Sequence, residues 1–274
     1  MMCKRKTERW ICGVFGALFL GCVLMAEPGL GAGAALAAAP LYGDVDMYKL
    51  AEDALPPGWV LEKELRASAD GLARFEKIYG VRPREILNQI WRRGDALAQV
   101  NYMLFASEEE AEKAELKLLA LIGDVNVLHR DANLVVEILS KDAWMKQVLC
   151  ASIVRSAIFD VALNAEDVPQ GWMLAQFLTA ADAKISFFEE KLGGKIAFIV
   201  NQVFAVPQGS GTAYVKVNYL ECESDEDTAR VFQTIKSISG PDAVLQRGNV
   251  VIEVVTREKL LRNQAVESLR MVAQ

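Results

Sequence analysis

Two stretches of the chain follow one pattern: "VNYMLFASEEEAEK" at residues 100–113 and "VNYLECESDEDTAR" at residues 217–230. Each begins as an apolar, strand-like run, reaches a serine and continues into three acidic residues. Ser107 with Glu110, and Ser224 with Asp227, have the spacing of a capping box, in which the serine accepts a hydrogen bond from the first turn of a helix. Each stretch therefore predicts a strand followed directly by a helix.

Other segments on either side of these two stretches also match each other, and they occur in the same order in both parts of the chain. "PPGWVL" at 56–61 matches "PQGWML" at 169–174, "LNQIW" at 87–91 matches "VNQVF" at 200–204, and "NLVVEI" at 133–138 matches "NVVIEV" at 249–254. The spacing between matches changes only at turn-like places, where insertions are tolerated. Self-similarity of this kind predicts a tandem duplication of a unit of about 105–115 residues. The predicted boundaries are 44–150 for repeat 1 and 158–274 for repeat 2.

Each repeat has the pattern of an α+β domain. A strand near the Pro-x-Gly-Trp motif precedes an amphipathic helix, which ends at Gly80 in repeat 1 and at Gly193 in repeat 2. Two alternating strands, the serine-capped helix, a hairpin and a last helix follow. The predicted order is β-α-β-β-α-β-β-α, which is typical of a mostly antiparallel sheet with helices packed on one face.

The first 39 residues resemble a secretory signal peptide. A basic start precedes an uncharged run from Trp10 to Ala26, and a region of small residues follows. Cleavage is expected after Ala37, after Ala39 or earlier, after Ala26. Two alternatives stay open: residues 10–26 could remain as an N-terminal membrane anchor, and "FLGC" ending at Cys22 weakly resembles a lipoprotein signal. All three interpretations predict that the rest of the chain is exported.

Composition limits the classes of partner. Hydrophobic residues make up 52% of the chain and charged residues 24%, as in an ordered globular protein. The net charge of the whole chain is −6. Residues 1–39 hold four basic and two acidic residues, so the rest of the chain is more acidic, at −8. An acidic body repels phosphate backbones, so nucleic acid is not predicted as a partner.

Strand alternation separates an apolar face of each sheet from a mixed face. In repeat 1, Val100 and Tyr102 share the apolar face, which the helices are expected to cover. The mixed face is interpreted as a solvated surface, as an interface between the repeats or as a binding surface. Its candidate binding residues are Asn101, Asn133, Glu137, Asn218, Asn249 and Glu253. If both faces of the sheet are covered, the adjacent pairs Asn88–Gln89 and Asn201–Gln202 predict one inward, hydrogen-bonded amide in each repeat.

Three other pairs of residues occupy matching positions in the two repeats. Arg130 and Arg247 are expected at hairpin ends, where they are candidates for binding an anion. Trp59 and Trp172 follow Pro-x-Gly and are expected to anchor the first strand of each repeat in its core. Ser107 and Ser224 are assigned the structural role of capping.

Motifs for catalysis or cofactor binding are missing from the sequence. His129 is the single histidine, and H-x-x-E-H, C-x-x-C and G-x-S-x-G do not occur. The acids at 108–110 and 225–227 are interpreted as helix starts rather than as a calcium site, so neither a metal nor a cofactor is predicted. Cys150 and Cys222 are expected either to form a disulfide or to be two separate buried thiols.

These patterns favour an exported, non-enzymatic binding or assembly module at the bacterial cell envelope. Its expected partner is a protein, a peptide or an envelope ligand, and it would contact the membrane only through an uncleaved or lipidated N-terminal segment. The alternative is an exported hydrolase that uses carboxylates, for which Glu137 and Glu253 are candidates.

Overall fold

The structure is a computed structural model that describes residues 41–122 and 126–272. The predicted signal segment at 1–39, including the anchor alternative at 10–26 and Cys22, lies outside the described residues. Within the described ranges, no helix is both long and apolar enough to cross a membrane.

Two halves of the chain contain the same succession of elements. In the first half they are β1 (Trp59–Arg66), α1 (Ala69–Tyr79), β2 (Glu85–Arg93), β3 (Ala96–Leu104), α2 (Glu108–Ile122), β4 (Val127–Asp131), β5 (Leu134–Ser140) and α3 (Ala143–Ile153). In the second half they are β6 (Met173–Thr179), α4 (Asp182–Leu192), β7 (Ile196–Gln208), β8 (Gly211–Cys222), α5 (Asp225–Ser239), β9 (Val244–Arg247), β10 (Val250–Val255) and α6 (Lys259–Met271). Short 3-10 turns at Val45–Met47 and Glu52–Ala54 precede β1, and Ala157–Asp160 precedes β6.

Each half forms one five-stranded antiparallel sheet. The strand orders are β1-β2-β3-β5-β4 and β6-β7-β8-β10-β9. The first strand of each sheet has an irregular register at the same place, between Leu61 and Lys63 in β1 and between Leu174 and Gln176 in β6. The predicted α+β class and the predominance of antiparallel pairing are confirmed.

Serine side chains begin the two central helices. The Ser107 hydroxyl accepts a hydrogen bond from the Glu110 backbone N–H (3.2 Å), and the Glu110 carboxylate accepts one from the Ala106 N–H (3.1 Å). Ser224 accepts from the Asp227 N–H (3.1 Å) in the same way. These contacts satisfy backbone donors that would otherwise lack partners in the first turn.

The helices of each half lie on both faces of its sheet, which differs from the expected single helix-covered face. In the first half, α1 and α2 pack on the face that carries Ile86, Met103 and Val135. Helix α3 packs on the opposite face, beside Val100 and Tyr102. The half-buried Phe75 of α1 and the buried Leu118 of α2 pack on these apolar residues of the mixed face, so both faces of the sheet have a covering layer.

A single central core joins the two halves. It contains the apolar faces of both sheets together with buried residues of α3 and α6. Trp59 and Trp172, 7% and 8% exposed, both belong to it. Two smaller cores lie under the helix pairs α1–α2 and α4–α5. The sequence predicts a separate centre for each repeat, whereas the largest cluster of buried residues is shared.

The halves also meet at the edges of their sheets. Strand β4 lies against β6, where the Thr179 hydroxyl donates to the Leu128 carbonyl (3.2 Å). The His129 and Phe198 rings meet edge to face with centroids 5.8 Å apart. Helix α3 continues this junction because it contacts both β5 and β6.

Gly194 marks a close approach between the start of β7 and helix α5. A Cβ atom at this position would lie 2.8 Å from Val231 Cγ2 and 2.9 Å from the Asp227 carbonyl oxygen. Because the second contact is with backbone, Gly194→Ala is expected to lower the free energy of unfolding by about 1–3 kcal/mol in a denaturant titration. Gly211→Ala is the control, since its nearest contact is at 3.7 Å. Equal midpoints for the two variants would contradict the close approach.

Candidate functional site

A buried tyrosine and glutamine hold the segment that precedes the second sheet. The Tyr219 hydroxyl donates to Gln202 Oε1 (2.7 Å) and accepts from the Leu163 N–H (3.2 Å). The Gln202 amide donates to the Leu163 carbonyl (2.8 Å). Both polar groups of Leu163 are therefore satisfied by side chains from the sheet beneath them, which is the condition for burying them.

The same arrangement recurs in the first half. The Tyr102 hydroxyl donates to Gln89 Oε1 (3.2 Å) and accepts from the Leu50 N–H (3.1 Å), and the Gln89 amide donates to the Leu50 carbonyl (3.0 Å). Gln89 and Gln202 are both fully buried. The glutamine is thus the fully buried member of each Asn–Gln pair. In the second half Asn201 is buried as well, and its amide donates to Asn218 Oδ1.

Helix α3 of the first half is joined to this network in the second half. Gln147 Oε1 accepts from Gln202 Nε2 (2.7 Å). Gln147 Nε2 donates to the Leu163 carbonyl (3.0 Å) and to Asn164 Oδ1 (3.2 Å). A buried amide network that is satisfied at every member restricts the packing of the groups it joins. The position of α3 relative to residues 163–164 is set in this way.

A cleft of about 420 Å³ opens beside this network, between the two halves. One wall is the turn at 54–56, another is α3, and the third is the segment from Phe159 to Asn164. Its apolar lining is formed by Leu55, Pro56, Val148 and Phe159, and its polar lining includes Gln147, Ser152 and Asn164. None of the side chains that line it is charged. Its volume lies within the range of small-molecule sites, about 300–1,000 Å³.

The predicted mixed-face residues of the first half bind one another. Asn101 Nδ2 donates to Glu137 Oε2 (2.8 Å), and Asn126 Nδ2 donates to Glu137 Oε1 (2.9 Å). Gln99 donates to Asn101 Oδ1 (2.6 Å). Asn101 is half-buried and Glu137 is buried, so the carboxylate is occupied by amides of the same chain.

The second half contains a more deeply buried pair. Asn218 Nδ2 donates to Glu253 Oε2 (2.7 Å), and the Ser239 hydroxyl donates to Glu253 Oε1. Burial raises the pKa of Glu253, whereas the hydrogen bonds from Ser239 and Asn218 lower it. Asn218 and Glu253 are almost inaccessible to solvent. The structure thus pairs the predicted residues within each sheet and keeps the two pairs apart.

Asn133 and Asn249 lie away from these pairs, each in the turn before the last strand of its sheet. Asn133 Nδ2 donates to the Phe105 carbonyl (2.8 Å), and Asn249 Nδ2 donates to the Cys222 carbonyl (3.2 Å). Each amide therefore pairs with the backbone at the end of the neighbouring strand. This contact closes the sheet beside the serine-capped helix.

The two arginines proposed as anion sites differ. Arg130, 12% exposed, contacts Glu108 (3.2 Å), Glu115 (3.2 Å) and Asp182. Asp182 belongs to α4, so this cluster also connects the two halves. Arg247 has no ion pair within residues 41–122 and 126–272, and its Nε atom is buried without a hydrogen-bond partner. Three carboxylates of the chain thus occupy the Arg130 guanidinium, which leaves Arg247 as the anion candidate.

Glu115 is a buried carboxyl that the sequence reasoning did not single out. It is 1% exposed, and its Oε1 atom has no hydrogen-bond partner. Burial raises its pKa to about 7, nearby Asp182 adds to the rise, and Arg130 opposes it. One signal was available: Glu115 lies on the same side of α2 as the buried residues Ala111 and Leu118.

Groups suited to metal binding or nucleophilic chemistry are not brought together in the described part of the chain. It contains no cluster of three His, Cys, Asp or Glu side chains that could hold a metal ion. Burial lowers the pKa of His129, which packs against Phe198. Cys150 and Cys222 are free thiols in different cores. Burial raises the pKa of both, to about 11 for Cys222.

The fold and the cleft define a class: an α+β protein of two five-stranded antiparallel sheets with an uncharged cleft between its halves. No family model matches the chain, and searches of curated proteins and of solved structures found no similar protein.

Proposed function

We propose that this chain is an exported, non-enzymatic binding or assembly module at the bacterial cell envelope. We further propose that it binds an uncharged segment of a peptide or envelope ligand in the cleft between its halves. The observation that carries this proposal is the lining of the cleft, which comes from both halves and lacks charged side chains. A site of this chemistry favours apolar groups oriented by a few hydrogen bonds.

The cleft offers different contacts to the two parts of such a ligand. Phe159 and Val148 are half-buried and present apolar surface to a side chain or an alkyl group. The Asn164 side chain is exposed, and the Ser152 hydroxyl is half-buried, so both are accessible to polar groups of a peptide backbone. Gln147 is already bonded to Gln202 and Leu163, and it acts as the floor of the site.

A tandem duplication is part of the proposal. It is supported by the equal strand orders, by the irregular register in both first strands and by the Tyr–Gln arrangement in both halves. Residues so far apart in sequence are not expected to repeat a three-bond network independently. A cleft between two copies has lining from each of them, and such junctions are common places for ligands.

Export is supported by the order of charge, apolar residues and small residues in the first 39 residues. The alternative, a carboxylate-dependent hydrolase, requires two carboxyl groups that converge on one pocket. Glu137 and Glu253 lie in different sheets and are each bonded to an asparagine, and neither lines the cleft. These positions favour binding over hydrolysis.

Filling the cleft tests the binding proposal. Ala151 lines it from α3 and is exposed, so Ala151→Trp is expected to occupy the space without disturbing the core. Peptides selected by the mature protein from a phage-displayed random library should lose at least about tenfold in affinity, which corresponds to 1.4 kcal/mol. The melting temperature should stay close to that of the unsubstituted protein.

Ala69→Trp is the matched control, since Ala69 is an exposed alanine on helix α1, away from the cleft. It should bind the selected peptides normally. If the selected peptides bind Ala151→Trp as tightly as Ala69→Trp, the cleft is not their binding site and the assignment is overturned. A library that yields only strongly charged peptides would contradict the proposed ligand chemistry.

A further inference from the structure

Helix α3 has an outer side that is used within the chain as a docking surface. The Trp144 ring lies 6.2 Å from the Phe204 ring of the second half, and Gln147 is bonded to Gln202. Helix α6 follows the last strand of the second half as α3 follows the last strand of the first. The offset between Asn133 and Asn249 places Leu260 at the position of Trp144, and Asn263 at that of Gln147.

The corresponding side of α6 has no docking partner within the described part of the chain. Leu260 is 68% exposed and Met271 is 60% exposed. Asn263 and Glu267 lie between them and are also exposed. These four residues form the α6 stripe, with spacings of three, four and four residues that place them on one side of the helix. The opposite side, with Leu261, Ala265 and Leu269, is buried in the core.

A second copy could receive the stripe only at a surface that is free. The surface that receives α3 contains Gln202 and Phe204, and its counterparts in the first half are Gln89 and Trp91. Both of these are fully buried within their own chain. A head-to-tail contact that repeats the junction between the halves is therefore closed, whereas the α6 stripe is exposed in both copies.

We propose that two copies of this chain associate through antiparallel packing of their α6 helices about a twofold axis. In this arrangement Leu260 lies opposite Met271 of the second copy, so each exposed apolar residue covers the other. Asn263 lies opposite Glu267 of the second copy, where an amide can donate to a carboxylate. A twofold interface buries the same surface of both copies, so a residue pair that meets once meets again on the other side of the axis. Such a surface must therefore be complementary to itself.

The association is expected to be weak. Helix α6 has 13 residues, and a pair of such helices covers less area than the roughly 1,200–2,000 Å² buried in stable interfaces. The dimer should therefore appear only as the protein concentration rises into the micromolar range and above. This inference does not depend on the cleft, and the two proposals can fail separately.

Sedimentation velocity of the mature protein over a concentration series tests the proposal. The average mass should rise toward that of a dimer, and the paired changes Leu260→Glu and Met271→Glu should keep the protein monomeric. Ile78→Glu is the control, since Ile78 is 63% exposed on helix α1. A monomer at every concentration would overturn the proposal. The proposal would also be overturned if Ile78→Glu reduced association as much as the paired changes in the α6 stripe.

Cross-linking tests the direction of the helices. Asn263→Cys and Glu267→Cys are made separately, and the native Cys150 and Cys222 do not interfere because they are buried. Under mild oxidation, an equal mixture of the Asn263→Cys and Glu267→Cys variants should form more disulfide-linked dimer than either variant alone. Cross-linking that is strongest for Asn263→Cys with itself would refute the pairing of Asn263 with Glu267 of the second copy, and with it the proposed arrangement.

Discussion

Replacing Trp59 or Trp172 by alanine is expected to lower the free energy of unfolding by about 3–5 kcal/mol in each variant. Each ring is more than nine-tenths buried, and both belong to the core shared by the two halves. Removing either ring leaves a cavity that the surrounding strands cannot close. Because the core is common to both sheets, both variants should shift the same cooperative transition of the whole chain.

Guanidinium titrations followed by circular dichroism and by fluorescence would check this result. The control is Tyr214→Ala, since the Tyr214 ring is about half exposed and its removal should change stability by less than about 1 kcal/mol. A silent tryptophan variant would be inconsistent with a shared core. Two separate transitions, one for each half, would also contradict it.

Arg130→Met is expected to destabilise the protein by about 3–5 kcal/mol at about pH 8, because it leaves the buried Glu115 without its cationic partner. It also removes the contact between Arg130 and Asp182, which joins the halves. The decrease in the free energy of unfolding should be smaller at about pH 5, because the Glu115 carboxyl is protonated there and needs no positively charged partner. Arg74→Met is the control, since Arg74 is exposed on helix α1, and its effect should stay within about 0.5 kcal/mol.

The sign of the pH dependence follows from the pKa of Glu115. Its folded-state pKa of about 7 lies above the ordinary glutamate value of 4.5. A group with a raised pKa binds its proton more tightly in the folded state, so its contribution is full below the unfolded pKa and is lost as the pH rises through about 7. Glu115→Gln should therefore flatten the stability profile between these values. A profile that is unchanged in this variant would exclude Glu115 as the titrating group.

The asparagine–glutamate pairs show how far alternation along a strand can be used. Alternation correctly separates Asn101 and Glu137 from Val100 and Ile138, since neighbouring side chains point to opposite faces. It does not reveal that the mixed face is partly covered by helices or that the amides bind the carboxylates. Because Asn218 is buried against Glu253, replacing it is expected to lower the free energy of unfolding.

Local sequence patterns could not predict the cleft, because it is formed by contacts between parts of the chain that are distant in sequence. Phe159 and Val148 are ordinary apolar residues in sequence, and Leu55 follows a short turn. They line one cavity because α3 crosses from the first sheet to the second and is bonded there through Gln147. Glu115 is a similar case, since its raised pKa arises from burial and from Asp182 of the other half.

Short-range chemistry determined the elements of this protein. Serine caps start α2 and α5, glycines in the left-handed conformation end α1 and α4, and period-two alternation sets the strand faces. These features act over a few residues and can be read along the chain. Tertiary structure alone decided that the apolar faces of the two sheets merge into one core and that a cleft forms between the halves. The physical reason is that burial and amide pairing there join residues tens of positions apart, whose proximity exists only after the sheets pack.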